Sequence, residues 1–379
     1  MIKIVIINPG STSTKVALFG GENGQMKEIV NQTLRHSEEE LAPFRGQPMV
    51  SQEEYRSGLI LDFLEKNQIS FAEIDAVAGR GGFVPQKRFE SGVYEINETM
   101  IDDLKKRSLS EHPANLGAIL AVHLAHLVEQ KCGKKIHSFV MDPVVVDEMI
   151  DIARPSGMKD IECKSYFHAL NQKAVSRRYA KSIGRKYDEL NLIVAHMGGG
   201  ISISAHRKGK VIDTFNGMNG LGPFSPERSG GVDTRQLIDL CFSGKYTYQK
   251  LCLLNVGEGG LYAYLGTKDA REVVKMVAAG DPYARFIYES MAYQVAKGIT
   301  WFLASFLPED GLIDAILLTG GLAYDRQFLI PFITRRVEKA APVHVFPGED
   351  EMIALAEGAL SAMEGEIPTR QYLGNPEQP

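Results

Sequence analysis

One pattern occurs twice in this chain, and it constrains the fold more than any other feature. Near residue 2, a run of β-branched residues is followed by a polar glycine turn, a second apolar run, another turn and a third run. The same order begins again near residue 192. Two units that each open with three strands predict a duplicated α/β architecture with two domains. A coincidence between two ordinary β-hairpins is the alternative that the pattern leaves open.

Composition and charge predict an ordinary two-domain globular protein. Of 379 residues, 44% are apolar and 23% are charged, which is enough for two cores. The net charge is −5 and no basic block occurs, so nucleic acid is not an expected partner. The four cysteines have no metal-binding spacing, and no apolar run is long enough to span a membrane. With no signal-peptide pattern, we expect a cytoplasmic protein.

The turn in the first repeat is suited to binding phosphate. It lies in I-I-N-P-G-S-T-S-T-K, residues 6–15, where Gly10 allows the backbone to approach an anion. Backbone N–H groups and three hydroxyl groups can donate to phosphate oxygens. These hydroxyl groups belong to Ser11, Thr12 and Ser13. The motif is not a P-loop, because a strand rather than a helix follows it, and a role for Lys15 stays open.

The second repeat contains a matching turn, H-M-G-G-G-I-S, beginning at His196. Its three glycines, Gly198, Gly199 and Gly200, lower the stability of a hairpin. Their presence indicates that the backbone here must come close to a ligand. His196 ends the strand here, as Asn8 does in the first repeat, and it can donate to a phosphoryl oxygen. Two such hairpins predict a nucleotide held in a cleft between two domains.

Two arginines and an aspartate complete the set of candidate residues. Arg80 follows a predicted strand in G-R-G-G, and Arg228 lies in the glycine-rich loop S-P-E-R-S-G-G-V-D. A guanidinium held beside glycines in this way is suited to a bidentate contact with a carboxylate or a phosphate. Asp142 precedes a proline and is expected at the carboxyl edge of its strand. Together these residues favour phosphoryl transfer, which relies on positioning and charge neutralisation.

These motifs, in this order along the chain, resemble those of the acetate and butyrate kinase family. That family belongs to the superfamily of acetate and sugar kinases, heat-shock chaperones and actin. The resemblance implies an α/β fold of two duplicated ribonuclease H-like (actin-like ATPase) domains with a cleft between them. We expect residues 1–145 plus 358–379 to form the N-terminal domain and residues 146–357 the C-terminal one. It also implies ATP/ADP and Mg²⁺ as cofactors and a short-chain carboxylate or acyl phosphate as substrate.

The resemblance also implies individual roles. Asn8 orients the phosphoryl group, Arg80 and Arg228 hold the carboxylate and the transferring phosphoryl, and His196 donates to its oxygens. His168 in S-Y-F-H has a similar role, Asp142 lies near Mg²⁺, and Gly320 and Gly321 lie against the adenosine. In G-E-D-E-M, Glu351 is favoured as the residue that supports Mg²⁺, while Glu349 and Asp350 stay open. The histidine that the family has before P-A-N is displaced here, which leaves the role of His112 open.

Within the family, the chain resembles butyrate kinases (branched-chain fatty acid kinases) more than acetate kinases. Its arginine motif reads R-S-G-G-V-D, and Arg80 is followed by Gly81 and Gly82 where acetate kinases carry bulkier valines. We hypothesise that these glycines widen the acyl pocket for four or five carbons. The resemblance also implies a homo-oligomer. The number of its subunits, the preferred acyl chain and the physiological direction of the reaction are not predicted.

Chemistry favours a carboxylate as the phosphoryl acceptor. A carboxylic acid with a pKa of about 4–5 is already ionised at neutral pH and needs no general base. A hydroxyl acceptor needs a base, which Asp142 could supply, so a sugar or other hydroxyl kinase of the same fold is one alternative. A non-enzymatic, actin-like nucleotide switch is another.

Overall fold

The computed structural model describes residues 1–22 and 25–374. The second turn of the first repeat, which G-G-E-N-G predicts at residues 20–24, lies partly outside these residues, at positions 23 and 24. The strands are β1 (Ile2–Pro9), β2 (Ser13–Glu22), β3 (Gln25–Arg35), β4 (Ala76–Gly79), β5 (Val93–Glu95), β6 (His137–Met141), β7 (Asn191–Met197), β8 (Ile201–Arg207), β9 (Lys210–Thr214), β10 (Ala315–Gly320), β11 (Val343–Pro347) and β12 (Arg370–Gln371).

The helices are interspersed among these strands along the chain. They are α1 (Glu38–Leu41), α2 (Glu53–Lys66), α3 (Glu98–Lys106), α4 (Asn115–Cys132), α5 (Ala169–Ser182), α6 (Thr234–Cys241), α7 (Tyr248–Asn255), α8 (Gly260–Leu265), α9 (Ala270–Ala278), α10 (Pro282–Trp301), α11 (Leu329–Val337) and α12 (Glu351–Met363). Short 3-10 helices span Ala42–Phe44, Met49–Gln52, Phe71–Glu73, Asp151–Ala153, Tyr187–Glu189, Phe302–Ser305, Pro308–Asp310 and Gly321–Tyr324. No helix of the described residues is long and apolar enough to cross a bilayer.

The chain divides into two compact units. The N-terminal unit comprises Met1–Val146 and the chain from Asp350 onwards, and the C-terminal unit comprises Asp147–Glu349. In the N-terminal unit the strand order is β12-β5-β6-β4-β1-β2-β3, and β1, β4 and β6 run parallel at its centre. Ile7 pairs with Gly79, which pairs with Val140. The carboxyl ends of these three strands therefore lie side by side at one edge of the sheet.

The sheet of the C-terminal unit has the order β11-β10-β7-β8-β9. Strands β7, β10 and β11 are parallel, with His196 paired to Thr319 and Gly320 paired to Pro347. Strands β7, β8 and β9 form an antiparallel meander, as β1, β2 and β3 do in the other unit. The repeated three-strand pattern and the predicted duplicated α/β fold are confirmed.

Strand β7 shows how the core of the C-terminal unit is built. Every one of its residues is buried, which is typical of a parallel strand covered on both faces. Ile193 and Ala195 belong to the apolar cluster that includes α10 and α11, whereas Leu192 and Val194 belong to the cluster that includes α5. The strand ends at the buried edge that carries His196.

Candidate active site

Three predicted site residues lie at the carboxyl ends of the central parallel strands of the N-terminal unit. Asn8 is the second-last residue of β1, Arg80 directly follows β4, and Asp142 directly follows β6. Because these strand ends are aligned in register, the sheet itself places an amide, a guanidinium and a carboxylate along one edge.

Glu351 joins Asn8 and Arg80 in the N-terminal unit. It is the first residue of α12 and is only 8% exposed. Its Oε2 accepts a hydrogen bond from Nδ2 of Asn8 at 2.8 Å and from Nη1 of Arg80 at 2.9 Å. A carboxylate in the first turn of a helix is also stabilised by the helix dipole. The structure therefore brings together three residues that lie far apart in the sequence.

Asp142 is held in a strained turn. Its φ of 38° lies in the left-handed region, which costs a non-glycine residue about 1–3 kcal/mol. Oδ1 accepts from the backbone N–H of Gly92 at 2.8 Å, and the N–H of Asp142 donates to the Gly92 carbonyl at 3.1 Å. The side chain is 1% exposed. These two hydrogen bonds fix the strand end beside which Asp142 lies.

The phosphate-suited turn is closed by a hydrogen bond from the N–H of Gly10 to the carbonyl of Ser13 at 2.7 Å. Ser11 and Thr12 are exposed at its tip. Behind the turn lies Arg56, a fully buried residue of α2 that was not predicted from the sequence. Arg56 lies four residues before Ile60 and seven before Phe63, on the apolar face of its helix, and a charge at that position was the signal that could have revealed it.

His196 is held by a side chain of α5. Its Nδ1 lies 2.8 Å from Oδ1 of Asn171, which also accepts from the hydroxyl of Thr319. Nδ2 of Asn171 donates to the carbonyl of Gly348 at 3.5 Å, which is consistent with this orientation of the amide. Nδ1 of His196 is therefore the donor, and the opposite nitrogen, Nε2, is an acceptor in the neutral ring. Nε2 is buried, and it lies 3.3 Å from Oε1 of Glu349 without hydrogen-bond geometry.

His168 has the opposite arrangement of ring protons. Oγ of Ser202 accepts from the backbone N–H of His168 at 3.3 Å and from Nε2 of Gln172 at 2.9 Å. With both acceptor positions occupied, the single hydroxyl proton of Ser202 is donated to Nδ1 of His168, 2.8 Å away. The ring proton of neutral His168 therefore lies on Nε2.

The two histidines stack on each other in the C-terminal unit. Their ring centroids lie 3.8 Å apart with an angle of 16° between the planes. His168 presents an N–H at Nε2, while His196 needs an added proton before its own Nε2 can donate. In the neutral pair the two ring protons therefore lie on different nitrogens. Asn171 and Ser202, which set this difference, were not predicted from the sequence.

The loop that carries Arg228 brings this residue to the turn formed by Gly198, Gly199 and Gly200. Oγ of Ser225 donates to the carbonyl of Gly199 at 2.6 Å, and the N–H of Arg228 donates to that same Oγ. The guanidinium donates to the carbonyl of Gly217, and a side chain at Gly200 would overlap it. Burial lowers the pKa of Arg228, and its Nε has no partner among the described residues. His196, the glycine turn and Arg228 thus form one cluster.

The remaining predicted residues have simpler surroundings. Gly320 exchanges two backbone hydrogen bonds with Gly348, and Gly321 is exposed beside it. Lys15 is exposed on β2, opposite Asn8. Nδ1 of His112 accepts from the N–H of Ala114, and its ring packs against Phe83. This is a local role at the start of α4.

Gly82 is explained by packing. A Cβ atom at this position would lie 2.5 Å from Oδ1 and 2.6 Å from Cα of Asn115, the first residue of α4. A Cβ at Gly81 would lie 2.5 Å from Cβ of Pro143. Larger side chains here would meet protein atoms. The hypothesis that these two glycines widen the acyl pocket therefore has no support in their surroundings.

The described residues contain no cluster of three or more histidine, cysteine or acidic side chains that could hold a metal by itself. Mg²⁺ bound with a nucleotide needs fewer protein ligands, because phosphates and water supply the rest. Glu351 fits that requirement, since only its Oε2 is engaged by the described residues. Asp142 is the second candidate carboxylate.

Comparison with known proteins identifies the fold and the family of the chain. The chain is similar in structure to a propionate kinase from Francisella tularensis, with a TM-score of 0.71, 20% identity and coverage of 94% of this chain and 99% of that one. It is also similar to an acetate kinase from Porphyromonas gingivalis, with a TM-score of 0.73, 20% identity and coverage of 96% and 100%. An acetate kinase from Entamoeba histolytica gives a TM-score of 0.70 at 17% identity, with coverage of 96% and 100%. At these identities the structures establish the shared two-domain α/β fold. The sequence model of the acetokinase family matches residues 3–338, most of the chain, and the protein belongs to that family.

Proposed function

We propose that this protein catalyses the reversible transfer of the γ-phosphoryl group of ATP to a short-chain carboxylate of the butyrate type. The products are an acyl phosphate and ADP. The observation that carries the proposal is the shared contact of Asn8 and Arg80 with one oxygen of Glu351. It places an amide donor, a cation and a buried carboxylate together at aligned strand ends. Membership of the acetokinase family supports the same reaction class.

In the proposed reaction, a carboxylate oxygen of the acid attacks the γ-phosphorus in line with the leaving ADP. One P–O bond forms, the P–O bond to the β-phosphate breaks, and no proton has to be removed from the acid. Both reactants are anions, so their mutual repulsion must be reduced. We assign this task to Arg80 and Arg228. Arg228 suits it because its buried Nε lacks a partner among the described residues.

The stacked histidines are assigned to the transferring phosphoryl group. His168 carries its proton on Nε2 and can donate to an equatorial oxygen without a change of protonation state. His196 can donate from Nε2 only when its ring is protonated. Donors that are oriented in advance stabilise the charge that develops in the transition state. Asn8 is assigned to orienting the same phosphoryl group.

Glu351 is the residue that we assign to Mg²⁺, with Asp142 as a second carboxylate that acts directly or through water. When bound, Mg²⁺ supplies neutralisation of phosphate charge. The residues of this chain contribute a buried carboxylate and the two donors that fix its orientation. The Gly10–Ser13 turn and the Gly198–Gly200 turn are assigned to the phosphates of ATP, and Gly320 and Gly321 to the adenosine.

A hydroxyl kinase would need Asp142 as a general base. Its carboxylate is instead 1% exposed and accepts a hydrogen bond from the N–H of Gly92.

The deciding experiment measures ADP release from MgATP with butyrate, glycerol and glucose as acceptors, using the wild type and Asp142→Asn. A carboxylate kinase responds to butyrate alone. A response to a sugar that is abolished by Asp142→Asn would establish the hydroxyl kinase, and slow ATP hydrolysis with no acceptor would indicate a nucleotide switch.

We also propose that the protein is cytoplasmic and forms a homo-oligomer. Helix α6 has no buried residue, and Leu237, Ile238 and the following Phe242 are exposed, Phe242 at 87%. Apolar side chains grouped in this way favour contact with another protein surface. Light scattering coupled to gel filtration tests this proposal, since a mass of one chain would contradict it.

A further inference from the structure

Arg56 makes an unusual set of contacts inside the N-terminal unit. It is 0% exposed, and its guanidinium donates to neutral oxygens of the phosphate-suited turn and of Gln52. The acceptors are the carbonyls of Gly10 at 2.9 Å, Ser13 at 3.3 Å and Ser11 at 3.5 Å, the hydroxyl of Thr14 at 2.9 Å, and Oε1 of Gln52 at 2.8 and 3.0 Å.

The charge of Arg56 is not balanced by a carboxylate. In the described parts of the chain, residues 1–22 and 25–374, no acidic side chain forms an ion pair with it. Desolvation lowers its pKa to about 10. Burying an ion without a partner of opposite charge is costly, and an apolar side chain would fill the same space without that cost. Arg56 is therefore a cation whose counter-charge is absent from the described chain.

The direction of these contacts has a consequence for the turn. In a trans peptide the N–H points away from the C=O of the same unit. Arg56 attracts the carbonyls of Gly10 and Ser11, so the N–H groups of Ser11 and Thr12 point away from it. Neither N–H has an acceptor among the described residues, and both residues are exposed. Successive free N–H groups on one side of a turn form a binding surface for an anion.

We propose that Arg56 is a positioning residue that holds the Gly10–Ser13 turn with its amides outward, and that the phosphates of the bound nucleotide supply its counter-charge. This inference rests on the proposed function, because it identifies the anion as that nucleotide. Arg56 acts through the backbone of the turn and does not touch the nucleotide. Arg56 therefore contributes to the binding of the phosphates and not to the binding of the adenosine.

The test compares ADP with adenosine as ligands of the wild type, Arg56→Met and Arg56→Lys, by isothermal titration calorimetry. We expect Arg56→Met to weaken ADP binding about tenfold or more, with adenosine affinity changed less than about twofold. Arg56→Lys keeps the positive charge but loses the planar set of guanidinium N–H donors. The affinity for ADP should therefore fall by an intermediate factor. Arg154→Met, which removes an arginine paired with Asp147 in the other unit, is the matched control and should leave the affinity for both ligands unchanged.

Each outcome is decisive. Equal ADP affinity in the wild type and a folded Arg56→Met variant would overturn the inference and leave the proposed function intact. Parallel losses for ADP and adenosine would also overturn it, since they indicate general damage to the fold. If Arg56→Met does not fold, Arg56→Lys decides the question by the same comparison. A wild type that binds neither ligand would overturn the proposed function and this inference together.

Discussion

Arg80 and Glu351 form an ion pair of 2.9 Å within the N-terminal unit, although 271 positions separate them in the sequence. The pair joins a strand end of the sheet to the first residue of α12. Asn8 donates to the same carboxylate oxygen, so Glu351 is oriented by two donors while its other oxygen is not engaged by the described residues. On these contacts we base the proposal that Glu351, among the three acidic residues of G-E-D-E-M, is the carboxylate that supports Mg²⁺.

Substitution of Glu351 by Gln should lower kcat by about 10²–10³-fold, because it removes the carboxylate that we assign to Mg²⁺. The Mg²⁺ concentration needed for half-maximal activity should rise at the same time. Asp350→Asn, an exposed neighbour, is the matched control and should change kcat by less than about threefold. A Glu351→Gln variant with an unchanged Mg²⁺ requirement would rule out this assignment.

Substitution of Ser202 by Ala should lower kcat about tenfold, because Nδ1 of His168 loses the hydroxyl that keeps its proton on Nε2. Nitrogen-15 NMR of the imidazole rings gives a readout that does not depend on activity. The wild type should show His168 with its proton on Nε2, and Ser202→Ala should show a mixture of tautomers. Ser202→Thr restores the hydroxyl and should restore the wild-type spectrum. An unchanged His168 tautomer in Ser202→Ala would contradict the assignment.

Stability should fall as the pH is lowered from about 6.5 towards 4. Burial and the nearby charge of Arg56 lower the pKa of His36 to about 4, and burial also lowers the pKa of His206 well below its usual value. Between the folded and unfolded pKa values the unfolded chain binds more protons, so the free energy of unfolding decreases on acidification. For His36 alone, the free energy of unfolding should be about 1–2 kcal/mol lower at pH 5 than at pH 7.

Urea denaturation at pH 7 and pH 5 measures this difference. The His36→Gln variant should be less stable than the wild type at pH 7, because His36 contacts Thr14 and Tyr55. It should nevertheless lose less stability between the two pH values than the wild type does. An equal pH dependence in both proteins would show that His36 is not held neutral by the fold.

Substitution of Gly82 by Ala should destabilise the protein by about 1–3 kcal/mol, because the new methyl group would overlap Asn115. The ratio of kcat/KM for butyrate to that for acetate should stay within about twofold of the wild-type ratio. Gly58→Ala, at a helix position with nothing within 4 Å of the added Cβ, is the control for stability. A shift of preference towards acetate in a fully stable Gly82→Ala variant would restore the acyl-pocket hypothesis.

The central elements of the fold could be predicted from the sequence because their signals are local. The two glycine turns follow short apolar runs, and each run forms a largely buried strand inside its sheet, parallel to one neighbour. Between residues 216 and 312 no helix was predicted, although α6 to α10 lie there. Helices α9 and α10 bury apolar side chains at helical spacing, such as Val273 and Val277, which periodicity could have indicated, whereas α6 and α7 have no buried residues.

The candidate site was predictable where a motif carries its own chemistry. His196, Arg80 and Arg228 each stand beside glycines, and that association could be recognised in one dimension. Asn171 and Ser202 could not be recognised in this way, because their role consists of contacts with residues distant in the chain. Arg56 left a different signal, a charge on the apolar face of α2. Which acidic residue of G-E-D-E-M joins Arg80 likewise depends on where α12 begins.

The central claim, that a short-chain carboxylate receives the phosphoryl group, is tested most directly by trapping the acyl phosphate with hydroxylamine. The purified protein is incubated with MgATP and unbranched carboxylates of two to six carbons, and the hydroxamate is measured for each acid. We predict hydroxamate formation that peaks at four or five carbons and exceeds that with acetate by about tenfold or more. ATP consumption without hydroxamate from any of these acids would contradict the account.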